Sequence, residues 1–358
     1  MFAGARIIKT GIAVALSLFI CNYFNIQPSL FAGAATVLNM QPSLGLSLYN
    51  AREQLLVHFL SVSIAILLGL TIGTSPLSIG LSTIIIIQLC KIFKWRGGIS
   101  AGVMAAIFVL ASPNAEFLNH ALVRSLAIFV GVSVALVVNL TIAPPRYRQP
   151  LQKKLVELNM LVSQHFCEAV QGFLHLSLPT AEEKETMTKK IENLFRESQH
   201  LYDLYRFDIG PHTEKQENKQ EVVSRYFNEY LAYNKGLWQR TRDVLFLAEE
   251  RKERRKKAGN LPISPEFQEV LDLLSNALDI FVKNNDELKN KLENRPFVQV
   301  DEPRIWCKMD DILNRWHDSF PSGSYRLHAL IEVSLVTYKI RWAAREAARL
   351  LNEELPAY

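Results

Sequence analysis

The pattern of hydrophobic positions along the chain changes near residue 144. Before that point, apolar residues form six stretches of 14 to 26 residues, broken only by short polar connections. A membrane-spanning helix needs about 20 mainly apolar residues. The pattern therefore predicts six transmembrane helices, which occupy Ile7–Phe24, Pro28–Leu48, Leu55–Ile72, Leu77–Ile92, Gly98–Ala111 and Leu118–Ala143.

After residue 145, apolar residues recur at every third or fourth position, as at Leu151, Leu155, Leu158 and Val162. This spacing is typical of amphipathic helices, and no alternating strand pattern competes with it. The last helical pattern is apolar enough over Leu327–Ala344 to suggest a seventh span, but its charged residues favour a buried bundle helix. The fold class expected is all-α: a six-helix transmembrane domain in residues 1–145 and a cytoplasmic helical bundle in residues 146–358.

Charge is divided as unevenly as hydropathy. The first 144 residues contain seven Lys and Arg, two Glu and no Asp, whereas the rest of the chain carries 33 cations and 33 anions. The net charge of +5 therefore belongs to the apolar part and does not indicate a nucleic-acid partner. So few charges also exclude a single water-soluble globule, because 144 residues could not form a wettable surface with them.

The cations predict the orientation of the spans, since Lys and Arg concentrate on cytoplasmic loops. They occur before the first span and after the second, fourth and sixth, and the other connections contain none. We therefore expect a multi-pass plasma-membrane protein with both termini in the cytoplasm, in which Arg146 and Arg148 meet the lipid headgroups. The first 25 residues also resemble a cleaved signal peptide, but five further apolar stretches favour a first span.

The third and sixth spans are similar in sequence. Residues 61–72 align with residues 131–142 at an offset of 70, with six identities. A repeat with an odd number of spans enters the membrane from opposite sides, so two copies would form a 3+3 inverted repeat, as in many transporters. Chance similarity between apolar segments is the alternative, although the loop charges independently require these two spans to run in opposite directions.

The second and fifth spans are unusual at equivalent positions. The fifth has 14 residues, and the second is interrupted by Asn39, Gln41 and Pro42. Short or broken segments at matching repeat positions indicate a transport pathway. A loop turn at the membrane edge explains Gln41 equally well. Gly33, Gly98 and Gly102 are small residues that let helices pack closely, within one protomer or at a dimer contact.

Apart from Lys9 and Lys91, which lie at the ends of their stretches and count here with the loop cations, the ionisable side chains within the apolar stretches are His58, His120 and Arg124. Such groups are costly in hydrocarbon and mark candidate functional positions. His58 lies only a few residues inside the third span, where a histidine with satisfied hydrogen bonds at the membrane interface is the commoner interpretation. Arg124 lies roughly 8 Å into the sixth span at 1.5 Å per residue, and His120 is one turn away; from that depth Arg124 could also reach the headgroups. The uncharged candidates for the substrate pathway are Asn39, Gln41, Gln88 and Asn139. Because the set is cationic and rich in amides, it favours an anionic solute.

No motif indicates catalysis or a cofactor. The sequence has no glycine-rich phosphate loop, no GxSxG and no HExxH, and its four cysteines are not paired in spacing, so we expect neither an enzyme nor a metal site. The basic run Arg251–Lys257 fits either a solvated helix end or a segment lying on anionic lipid.

Several of these features resemble the aromatic acid exporter family, of the fusaric-acid-resistance-like superfamily, in its short bacterial branch. They are the Gln41-Pro42-Ser43 element after a short second helix, Arg52 at the entry to the third span, the Pro144-Pro145-Arg146-Tyr147 exit and the helical tail. The resemblance implies a plasma-membrane exporter of aromatic or other organic anions. This family is similar in layout to the plant malate channels, which are dimers with a cationic pore. The resemblance therefore also implies a homodimer with a cationic pore.

The function expected is thus an exporter or channel for organic anions, with membrane lipid, small anions and a second copy as partners. Arg124 and His120 are candidates because of their position in a span and not because the family motif contains them. The alternative is a membrane-anchored helical scaffold or sensor whose tail binds a cytosolic partner. Flux of aromatic carboxylates would distinguish the two.

Overall fold

The structure is a computed structural model that describes residues 5–95, 97–112, 117–142, 147–209, 219–298, 308–312, 314 and 324–353. Within these ranges the secondary structure is helical and no strand is present, which confirms the all-α class. The chain forms two compact units: residues 1–146 with 206–211, and residues 147–205 with 212–358.

The first unit contains six apolar helices. They are α1 (Ala5–Tyr23), α2 (Leu30–Asn39), α3 (Leu44–Thr71), α4 (Pro76–Ile92), α5 (Ile99–Leu110) and α6 (Phe117–Thr141). Side-chain caps determine where two of them begin. The hydroxyl of Ser43 accepts a hydrogen bond from Leu46 N at the start of α3, and that of Ser75 accepts one from Ser78 N at the start of α4. Such caps satisfy backbone donors that have no partner within the helix.

The second and third spans differ from the predicted bounds. The stretch predicted as one span from Pro28 to Leu48 is interrupted after Asn39, and α3 begins at Leu44, well before the predicted Leu55. Pro42 explains the break, since proline lacks an N–H and disfavours helical geometry in the residue before it. Two helices, Leu44–Thr71 and Leu118–Thr141, are long and apolar enough to cross a membrane, and the apolar segments of the other four helices have 10 to 17 residues.

The helices of the first unit pack in a pattern with internal symmetry. Helix α2 packs on α6 and α5 packs on α3; α1 lies against α2 and α6, and α4 lies against α5 and α3. Helices α3 and α6 also contact each other. Exchanging α1 with α4, α2 with α5 and α3 with α6 turns each of these pairs into another pair of the set. The packing thus has the pairing that a repeat of three helices produces.

Close helix approach occurs at corresponding places in the two halves. A Cβ atom on Gly131 of α6 would lie 2.2 Å from the carbonyl oxygen of Ala32 on α2. A Cβ atom on Gly102 of α5 would lie 2.5 Å from side-chain atoms of Val57 and Ser61 on α3. The offset of 70 that aligns the third and sixth spans also aligns Ser61 with Gly131. Both crossings therefore depend on a glycine, because any side chain would separate the helices.

The second unit contains α7 (Arg148–His175), α8 (Ala181–Ile209, whose last residues belong to the first unit), α9 (Lys219–Lys257), α10 (Pro265–Leu292) and α11 (Ser324–Asn352). Helix α7 packs on α9 and α10, and α11 packs on the same two helices, so these four form a closed ring. Helix α11 is not among the helices apolar enough to span a membrane.

Three buried asparagines connect α7, α9 and α10 of this bundle. Asn159 Nδ2 donates to Asn234 Oδ1 at 2.9 Å and to Asn285 Oδ1 at 3.1 Å, and Asn285 Nδ2 donates back to Asn159 Oδ1 at 3.0 Å. Buried amides that satisfy one another in this way favour one helix register over others, because a shifted register would leave them without partners.

Candidate functional site

A cavity of about 310 Å³ lies among α2, α3, α5 and α6 of the first unit. Its wall is mostly apolar, and the polar side chains on it are Gln54, His58, Ser100 and Arg124. Along α5 the lining extends from Ser100 to Val109, a rise of about 13 Å at 1.5 Å per residue. The cavity is therefore long enough to follow much of the length of that helix.

Arg124 is held between two aromatic rings in the cavity. The carbon of its guanidinium group lies 5.3 Å from the ring centre of Phe31 and 5.4 Å from that of Phe108. Its Nη1 donates a hydrogen bond to the Phe108 carbonyl oxygen, and its Nε is buried with no hydrogen-bond partner. A buried guanidinium donor without a partner is costly, and an anion that supplied an acceptor would remove that cost.

His58 lies on α3 and is 4% exposed. Its Nε2 is 2.8 Å from the hydroxyl oxygen of Ser125 on α6, and that hydroxyl donates to the carbonyl oxygen of Ala121 at 2.7 Å. Because the hydroxyl has a single proton, both contacts are hydrogen bonds only if Ser125 donates to Ala121 and Nε2 donates to Ser125. The neutral ring therefore carries its proton on Nε2, and Nδ1 is the nitrogen with a free lone pair.

The charge of the cavity has one sign. Arg124 and His58 are its ionisable groups, and no acidic side chain is present among the described residues that line it. The nearby Glu53 is buried, but its carboxylate accepts hydrogen bonds from Gly97 N at 2.8 Å and from Tyr49 Oη at 2.8 Å and is not part of the wall. The arrangement suits a ligand with an apolar body and a negative group.

Three predicted pathway residues belong to a second polar cluster outside the cavity wall. Asn139 Nδ2 donates to Gln41 O at 3.1 Å and to Ser47 Oγ at 2.8 Å, and Asn139 Oδ1 accepts from Lys9 Nζ at 3.2 Å. Asn39 is fully buried and connects the two sites: its carbonyl oxygen accepts a hydrogen bond from Ser47 Oγ at 3.1 Å, and its Nδ2 donates to the side-chain oxygen of Gln54, which lines the cavity. This cluster ties α1, α6 and the α2–α3 connection together.

The remaining predicted residues lie elsewhere. Gln88 is exposed on α4, and neither it nor His120 on α6 is among the residues that line the cavity. Gly98 and Gly102 lie against α3 of the same chain, and Gly33 faces Leu18 of α1. Arg148 is half-buried at the start of α7, whereas Arg146 lies outside the described residues.

The basic run at the end of α9 is partly occupied with internal contacts. Arg251 is 1% exposed and donates to the carbonyl oxygen of Phe173, and Arg254 forms a bidentate ion pair with Glu332 at 3.1 and 2.5 Å. The run is therefore not a uniformly solvated helix end.

Sequence reasoning missed several of the residues that form these two sites. Phe31 and Phe108 look like ordinary members of apolar helices, and Gln54 was assigned to the connection before the third span. In the sequence, Lys9 is only one of the cations that predict orientation, yet its side chain is 7% exposed. One feature of the sequence could have pointed to Gln54. The offset of 70 aligns Gln54 with Arg124 and His58 with Ile128, and all four residues line the cavity.

A helical unit that contains two helices long and apolar enough to cross a membrane indicates the class of helical membrane proteins. Residues 1–142 match the model of the family described as aromatic acid exporter family member 1. The first 142 residues are therefore similar to the aromatic acid exporter family, in agreement with the resemblance seen in the sequence.

Curated bacterial relatives extend the match beyond the first unit without indicating a substrate. UPF0421 protein YgaE of Bacillus subtilis is 32% identical over 194 residues, which cover 54% of this chain and 53% of the relative. UPF0421 protein OB2406 of Oceanobacillus iheyensis is 24% identical over 225 residues, covering 63% and 59%. The chain thus spans little more than half the length of these relatives.

Proposed function

We propose that this protein moves organic anions with an apolar or aromatic body across the plasma membrane through the cavity at Arg124. The observation that carries the proposal is the guanidinium group of Arg124, which lines the cavity between Phe31 and Phe108 with no acidic side chain among the described lining residues. A carboxylate could pair with the guanidinium while its ring packs on the two phenylalanines, since aromatic rings prefer stacked or edge contacts with one another. The family description as an exporter supports transport rather than catalysis.

The proposed architecture is a six-span domain built as a 3+3 inverted repeat with both termini in the cytoplasm. Three observations support it. The six helices α1 to α6 pack in symmetric pairs, two helix crossings at equivalent positions each depend on a glycine, and the cations alternate between successive loops. In such repeats the binding site lies at the interface between the two halves, and the cavity here has walls from both. The placement of residues 146–358 in the cytoplasm and the homodimer stay predictions.

Reconstituted vesicles test the proposal. Full-length protein in liposomes that contain labelled benzoate should release it faster than protein-free liposomes. Arg124→Ala should reduce the protein-dependent rate by at least about tenfold, because it removes the charged donor. Arg124→Lys should restore only part of it, since an ammonium group cannot form the planar two-donor contact.

Arg52→Ala is the matched control, because Arg52 is an exposed cation on α3 outside the cavity wall. It should leave the rate unchanged. A wild-type rate equal to that of empty liposomes for a panel of organic anions would contradict transport and favour the membrane-anchored scaffold.

A further inference from the structure

We infer that the cavity binds its anion together with one proton, which His58 takes up at Nδ1. The inference rests on the proposed function, because it assumes that an anion enters the cavity. It adds a second ligand, the proton, to the same site.

The hydrogen bonds of His58 determine which nitrogen is available. Nε2 donates to Ser125, whose own proton is used towards Ala121, and no other described residue hydrogen-bonds the imidazole. Nδ1 is not among the buried polar atoms that lack a partner, so part of its surface is accessible, and the ring that carries it lines the cavity. A proton added to this histidine therefore goes to Nδ1 and points a new donor into the cavity.

The charges around His58 make that proton dependent on an anion. On α3, Gln54 is uncharged and Glu53 is hydrogen-bonded to Gly97 and Tyr49. On α6, Arg124 lines the same cavity, and on α4, Cys90 packs with Val57 in an apolar cluster. The described lining residues of α2 and α5 are apolar apart from Ser100. An imidazolium would thus add a second positive charge to an apolar cavity.

Two like charges in a low-dielectric site repel each other strongly. An anion bound between Arg124 and the protonated His58 offsets this repulsion, because it attracts both cations and accepts a hydrogen bond from each. The proton comes from the buffer acid, whose bond to hydrogen breaks as the Nδ1–H bond forms, and the buffer is left as its conjugate base. Anion and proton therefore bind with positive coupling, and each must increase the affinity for the other.

Calorimetry with benzenesulfonate tests the inference, because this probe stays an anion at every pH used and cannot bring in a proton itself. Detergent-purified full-length protein is titrated at neutral pH in phosphate and in Tris, which differ in ionisation enthalpy. The difference between the two observed enthalpies measures proton uptake. We expect uptake that approaches about one proton per bound anion, and an affinity that increases by up to about tenfold for each unit by which the pH falls.

His58→Gln should still bind benzenesulfonate but without proton uptake, since the glutamine amide can donate to Ser125 and cannot be protonated in this range. The matched control His120→Gln, on α6 outside the cavity wall, should behave like the wild type. Binding by the wild type without proton uptake, or full uptake in His58→Gln, would overturn the inference and leave the proposed function intact. An absence of benzenesulfonate binding by the wild type, together with absent benzoate flux, would overturn both.

Discussion

Lys9 on α1 donates a hydrogen bond to Asn139 on α6, with 3.2 Å between Nζ and Oδ1 and both side chains almost fully buried. Asn139 in turn holds the α2–α3 connection through Gln41 and Ser47. The offset of 70 aligns Asn139 with Gly69, so the other half of the unit has no equivalent amide at that position. The hydrogen bonds of Asn139 therefore stabilise one half of the first unit and have no equivalent at the corresponding position of the other half.

Removal of one partner of this pair should cost more than removal of both. Asn139→Ala leaves the ammonium group of Lys9 without its acceptor, and we expect a loss of about 1–3 kcal/mol in the free energy of unfolding. The double variant Lys9→Met with Asn139→Leu should be more stable than Asn139→Ala, because it does not leave the ammonium group of Lys9 buried without its acceptor.

Thermal unfolding in detergent measures these differences. Gln88→Ala is the control, since that amide is exposed on α4 and should be replaceable without loss of stability. Equal unfolding temperatures for Asn139→Ala and Gln88→Ala would show that the Lys9–Asn139 contact contributes nothing.

Two glycines in apolar helices should respond in opposite ways to alanine. Gly131→Ala places a methyl group 2.2 Å from the carbonyl oxygen of Ala32, so α2 and α6 must move apart at a cost of about 1–3 kcal/mol. Gly80→Ala on α4 meets no atom within 4 Å and should be neutral or stabilising by up to about 1 kcal/mol, because alanine favours helix.

The measurement is again the unfolding temperature in detergent, with benzoate flux as a second reading. Gly131→Ala should lower both, since α2 and α6 also form the cavity wall. A Gly131→Ala protein as stable as Gly80→Ala would contradict the close crossing.

Cys167 on α7 should alkylate unusually slowly. Burial, and secondly the carboxylate of Glu168, raise the pKa of its thiol to about 12. Only the thiolate reacts, so at pH 8 the rate with iodoacetamide should be on the order of a thousandfold below that of an ordinary exposed cysteine. The rate should rise about tenfold for each pH unit until the pH approaches this pKa.

The comparison uses a chain whose other cysteines are replaced, with Gln164→Cys in place of Cys167 as the control. Residue 164 is exposed on the same helix and lies about one helical turn before Glu168. Mass spectrometry gives both rates, and equal rates at pH 8 would show that Cys167 is not shielded.

The sequence alone determined the helical class, the division into an apolar and a charged part, and Arg124 and His58 as unusual groups within spans. These follow from hydropathy and from the cost of ionisable groups in hydrocarbon, both of which depend on residue type and not on the neighbours in space. The break between α2 and α3 was partly visible in the same way, because Pro42 cannot continue a helix.

Only the tertiary structure decided which side chains meet. A helix that is apolar on every face has no hydrophobic periodicity that shows which side faces its neighbours. The sequence therefore could not distinguish Gln88, which is exposed, from Gln54, which lines the cavity. That rotation depends on where helices approach closely, as at Gly102 and Gly131. Those crossings bring Phe31 and Phe108 to Arg124 and place Lys9 beside Asn139, because contacts between distant segments depend on packing geometry and not on local pattern.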